Sequence, residues 1–162
     1  ISPLMGPILG IGLSIAINDI DTLKTSLVSL GTMILLSILT SFFYFWIFDI
    51  NADTSELFAR TRPDIREILI AFFGGLALII ARTKKGTIAT VIYGVAIATA
   101  LIPPLCTAGY GIAVGSWDYF LGAMYLFIIN TIFIALATFI VIKFLKFPMI
   151  NYVDSSYKIV IL

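Results

Sequence analysis

Apolar residues dominate four long tracts, 4–17, 22–48, 87–115 and 118–147, and a shorter one, 68–81. Polar residues gather in the short stretches between them. The tract 22–48 has Asp19 or Asp21 just before it, either of which suits a helix N-cap. Its far end, "FFYFWIF", is an aromatic cluster of the kind that sits at a membrane–water interface. The polar segment 49–67 holds Asp53-Thr-Ser-Glu56, capping-box spacing that predicts a short interfacial helix over "LFART". Pro63 suits the first turn of the next helix, predicted over 64–81. The tract 87–115 is rich in glycine and alanine, and the last helix, 118–147, is stopped by Pro148.

Two features of this pattern are informative. The runs 25–48 and 119–142 carry no Asp, Glu, Lys or Arg. Either exceeds the ~20 apolar residues that cross a hydrocarbon core. The second feature is "ALIPPLCTAGYG", 100–111, where adjacent prolines fall inside an apolar tract. Each proline removes a backbone donor and clashes with the preceding turn, so the tract is expected to be a broken helix. Broken helices at membrane depth are tolerated where protein or a water-filled cavity satisfies the freed carbonyls.

Composition sharpens the reading. The chain is 60% hydrophobic and 12% charged, with a net charge of +1. Several apolar helices in 162 residues leave too little polar surface to cover them in water, so an all-α, polytopic transmembrane bundle is expected in the lipid bilayer. Its helices are a half helix over 4–17, helices over 22–48 and 64–81, a broken helix over 87–115, and a helix over 118–147. Residues 149–162 form a polar tail whose last residues, "YKIVIL", could begin a strand of a soluble domain. Near-neutral charge gives no reason to expect a nucleic-acid partner. Histidine is absent, which excludes His-based triads, His-ligated metals and His proton shuttles. One cysteine, Cys106, excludes an internal disulfide.

The positions of the cations choose a topology. If 87–115 crosses, Lys24, Arg82, Lys84, Lys85, Lys143, Lys146 and Lys158 share one side, opposite Arg60, Arg62 and Arg66. The positive-inside rule then makes the 82–86 loop cytoplasmic, with Arg82, Lys84 and Lys85 as its topogenic cations. A re-entrant segment would spread the charges more evenly, so a spanning one is preferred.

Two segments resemble each other. "SPLMGPILGIGLS" and "PPLCTAGYGIAVG" align without gaps, pairing Pro3 with Pro104, Leu4 with Leu105, Gly10 with Gly111 and Ile11 with Ile112. Each precedes an Asp-containing turn and a long helix. A three-helix unit repeated in inverted orientation follows, with its first copy truncated at Ile1. Inverted repeats with paired discontinuous helices point to a midplane site in transporters. The plainer alternative is that proline kinks only shape the bundle.

The stretches "ISPLMGPILGIGL", "IREILIAFFGGLA" and "VAIATALIPPLCTAGYG" resemble the bacterial domain-of-unknown-function 389 family over roughly 1–146. The resemblance implies a multi-span inner-membrane protein, often attached to a soluble domain. In that family the first motif follows an apolar helix, which this chain lacks. It implies no reaction, substrate or cofactor.

Candidate chemistry is therefore uncharged. All carboxylates and all cations lie in turns or at helix ends, which disfavours a carboxylate proton relay, a caged divalent cation and an intramembrane hydrolase. No catalysis, metal or cofactor is expected. The candidate site for a small solute or ion comprises Ser2, Pro3, Gly6, Thr99, Pro103, Pro104, Cys106, Thr107, Gly109 and Asn130. Broken helices would present bare amides and carbonyls there. A buried Asn130 serves as interhelical glue more often than as a ligand contact, and Cys106 more often packs than reacts. Two functions compete: a transporter-like or channel-like domain, and a membrane anchor or signalling scaffold built on small-residue stripes. A homo-oligomer is expected under either.

Overall fold

A computed structural model describes residues 4–50, 54–62, 64–83 and 87–145, with backbone alone for 82, 83 and 87–99. These residues form α1 (Met5–Ile17), α2 (Ile20–Phe48), α3 (Ser55–Ala59), α4 (Ile65–Thr83), α5 (Thr87–Val114) and α6 (Trp117–Phe144). No strand occurs among the described residues. Two of the helices, α2 and α6, are long and apolar enough to cross a membrane. Ser2, Pro3, Lys84, Lys85 and the tail 149–162 lie outside the described residues, as do the side chains of Arg82 and Thr99.

Local signals set the helix ends. Asn18 closes α1 in the left-handed region, φ 62°, and the next amide, Asp19 N–H, donates to Ser14 O at 2.9 Å. Asp19 then caps α2 by accepting from Thr22 N–H at 3.2 Å. The turn between α5 and α6 is built the same way. Gly115 takes φ 72°, Ser116 N–H donates to Gly111 O at 2.8 Å, and Ser116 is the N-cap of α6. The cap of α3 is Thr54, whose hydroxyl accepts from Leu57 N–H at 3.3 Å. That is one residue beyond the cap expected from sequence.

The expected break in α5 is corrected. Pro103 and Pro104 lie inside one continuous helix. Because the prolines are adjacent, the two missing donors strip only the carbonyls four residues back, those of Thr99 and Ala100. A neighbouring helix satisfies one of them, as described below, so the turn holds. The proline of α1 needs no such help. Pro7 sits in the first turn, where its N–H would have no helical partner.

Glycine positions bring the helices together. A Cβ on Gly12 of α1 would lie 2.6 Å from Ala135 O and 2.7 Å from Thr138 Cβ of α6. One on Gly109 of α5 would strike Ser41 of α2 and lie 3.0 Å from Ile38 O. One on Gly75 of α4 would lie 3.2 Å from Ala137 Cβ of α6. The main core joins Leu4, Met5, Ile8 and Leu9 of α1, Leu30 of α2, Ala71 and Leu78 of α4, Leu101 and Leu105 of α5, and Phe127 and Ile134 of α6.

The outside is as apolar as the inside. Val28, Leu35, Leu36 and Trp46 on α2, and Leu121, Tyr125 and Ile132 on α6, are all more than half exposed. Such faces exceed the isolated hydrophobic residues common on water-soluble monomers and mark a surface that meets lipid or protein.

Candidate functional site

The site grows from the proline pair. Pro104 cannot donate to Ala100 O, the acceptor four residues earlier. Asn130, in the middle of α6, donates from Nδ2 to that same oxygen at 3.2 Å. Asn130 is 1% exposed, and its Oδ1 has no hydrogen-bond partner among the described residues. Asn130 and Ala100 form the inner end of a cavity of about 170 Å³ that is also lined by Ile70, Glu67 and Arg60.

The outer end is an ion-pair network. Arg60, in the turn after α3, donates from one terminal nitrogen to Glu67 at 3.1 Å and from the other to Glu56 at 3.1 Å. Glu56 stands one helical turn before Arg60, and Glu67 lies in the first turn of α4. Two carboxylates thus hold one guanidinium across the α3–α4 turn. Arg60 Nε is buried with no partner among the described residues. The side chains of Arg60 and Glu67 are 26% and 29% exposed, so the cavity has a partly exposed mouth and ends on the buried Asn130. An ion pair this exposed adds little stability. Glu67→Gln should shift the unfolding free energy by less than about 1 kcal/mol, which a thermal melt in detergent checks.

The described candidates picked from sequence do not converge. Thr107 is buried and turns its hydroxyl back onto its own helix, donating to Pro103 O at 3.0 Å. Cys106 points elsewhere, into a groove of about 510 Å³ between α2 and α5 lined by Leu36, Thr40, Tyr44, Phe45 and Ile102. Ser41 donates to Cys106 O at 2.7 Å on that side. Gly109 is covered by Ser41 and has no free face. Gly6 lies at the start of α1 with open space around it. Between the start of α1 and the proline segment, Leu4, Met5, Leu101 and Leu105 pack at 3% exposure or less, so a wetted gap there is corrected to apolar core. Leucines fill that space because their positions fall on the inward faces of both helices.

Of the predicted residues whose side chains are described, only Asn130 lines the polar cavity, and Pro104 leaves free the Ala100 carbonyl behind it. Sequence reasoning missed Ala100, Glu67, Ile70 and Arg60. One signal for Ala100 was present: counting four residues back from a helical proline names the carbonyl that needs a new donor. No group of three or more metal-ligating side chains occurs among the described residues.

Comparison with known proteins agrees with the resemblance. The family model described as domain of unknown function (DUF389) matches residues 1–136. An uncharacterised protein of Methanocaldococcus jannaschii is 31% identical over 145 residues, which cover 87% of this chain and 43% of that protein. The chain thus spans less than half the length of that relative. No solved structure matches it.

Proposed function

The chain belongs to the DUF389 family, whose function is unknown, and from that starting point we propose that it is a transporter-like or channel-like membrane domain with a small-solute path past the Asn130 cavity. In this reading α2, α4, α5 and α6 cross the bilayer and α1 enters it partway. The single observation that carries the proposal is Asn130 itself. A polar side chain 1% exposed, with one amide atom on a proline-freed carbonyl and the other unmatched beside a cavity the residue lines, is an expensive feature for a structural bundle to keep. A packing role needs only the Nδ2 bond. The anchor reading leaves Oδ1 and the cavity unused.

The reading includes an inverted repeat, in a register different from the one the sequence suggests. Matching the two left-handed turns, Asn18 with Gly115, pairs Pro7 with Pro104, Gly12 with Gly109, Ile15 with Ile112, Ala16 with Ala113 and Asp21 with Asp118. The shift from the earlier alignment is about one helical turn. It also pairs Ala135 and Thr138 with Ile38 and Ser41, so the contact of Gly12 with α6 has its counterpart in the contact of Gly109 with α2. Reciprocal contacts of this kind support the repeat more strongly than matched prolines do.

Orientation follows the cations, with the 82–86 loop on the cytoplasmic side. The test is permeability of proteoliposomes, read by stopped-flow light scattering for a panel of small solutes and ions. Flux that depends on protein and falls at least tenfold in Asn130→Leu is expected. Protein-containing vesicles no more permeable than empty ones to every member of the panel would overturn the proposal.

A further inference from the structure

Two residues that line the cavity each carry an unmatched polar atom, and the two atoms are of opposite kind. At the floor, Asn130 Oδ1 is a buried acceptor; at the mouth, Arg60 Nε is a buried donor. Either one left without a partner costs about 1–3 kcal/mol. An occupant that met both would therefore bring a donor to the inner end and an acceptor to the outer end.

Charge narrows the occupant further. The Arg60 guanidinium already lies between Glu56 and Glu67, so an anion entering the mouth meets a compensated cation and two carboxylates. A cation meets the Glu56 and Glu67 carboxylates at the mouth, both already engaged by the guanidinium, and only neutral oxygens, Asn130 Oδ1 and Ala100 O, at the floor. Neither charge sign is matched from end to end. Size gives the last limit. A volume of about 170 Å³ equals about five or six waters at ~30 Å³ each, enough for a molecule of a few heavy atoms. The Ile70 side chain supplies one apolar wall for its carbon atoms.

We infer that the cavity binds a small uncharged solute carrying both a hydrogen-bond donor and an acceptor, of the primary-amide or polyol class. This deepens the transport reading and rests on the same cavity, but binding does not itself require transport.

The test is saturation-transfer difference NMR on the purified chain in detergent, with acetamide and glycerol as probes and acetate and methylammonium as charged counterparts. Acetamide or glycerol should give the stronger signals, and these should fall at least tenfold in Ile70→Trp. Ile70 is 61% exposed, so tryptophan there can fill the cavity while Asn130 and Arg60 stay in place. Asn130→Leu should abolish the same signals, and a thermal melt of each variant separates lost binding from lost fold. Stronger signals from acetate or methylammonium, signals indifferent to Ile70→Trp in a folded variant, or no signal from either uncharged probe would each overturn the inference. Binding without flux in proteoliposomes would sink the transport reading and leave this assignment standing. Ion flux blocked by Ile70→Trp, with no uncharged probe bound, would do the reverse.

Discussion

An Asn130→Leu chain should lose the ~1–3 kcal/mol that the bond to Ala100 O protects, offset in part by removal of the unmatched Oδ1, read as a lower thermal midpoint in detergent. Leucine has the same branched arrangement of side-chain heavy atoms as asparagine, so the change removes chemistry and largely keeps shape. What it removes is the donor that stands in for the missing Pro104 N–H at Ala100 O. The explanation makes a sharper demand on a double-mutant cycle. Pro104→Ala restores a backbone donor four residues after Ala100, so in that background Asn130→Leu should cost nothing or stabilise, because it then removes chiefly the unmatched Oδ1. An undiminished cost would mean that Asn130 stabilises the fold through something other than that carbonyl.

The other large effect is expected at the close approaches of glycine to neighbouring helices. Gly12→Val and Gly109→Val should each destabilise by about 1–3 kcal/mol or more, because the added carbons enter space held by backbone oxygen and by Thr138 or Ser41. Gly31→Ala is the counterexample. Nothing lies within 4 Å of a Cβ at Gly31, so there the usual helix preference for alanine should add about 0.5–1 kcal/mol. Tryptophan fluorescence melts on the three variants compare them directly. Equal effects at all three glycines would show that helix propensity, rather than interhelical fit, controls these positions.

The sequence made the helical class legible because its strongest signals are local. Charge-free runs marked α2 and α6, and Asp19 or Asp21 announced the start of α2, with Asp19 the one that caps it. The proline pair was visible too, but its consequence was not. Whether two lost hydrogen bonds break a helix depends on what stands opposite, and Asn130 lies 30 residues away in the chain. The same limit explains the scattered site. Thr107, Cys106 and Gly109 were grouped by closeness in sequence, yet each residue turns about 100° around a helix. Ala100 and Cys106 consequently face different neighbours, α6 and α2. The ion pairs at the cavity mouth depend on how the α3–α4 turn folds, which no periodicity encodes.

The reciprocal glycine contacts carry a mechanical consequence. Each helical hairpin, α1–α2 and α5–α6, lays its first arm against the second arm of the other, as two clasped hands do. Drawing the hairpins apart would undo both grips together, so that motion is the costly one. The segment running from Arg60 through Ile70 stands outside the clasp and forms one wall of the cavity. That wall is itself held, by the close approach of Gly75 to Ala137 of α6 and by the Arg60–Glu67 pair at the mouth.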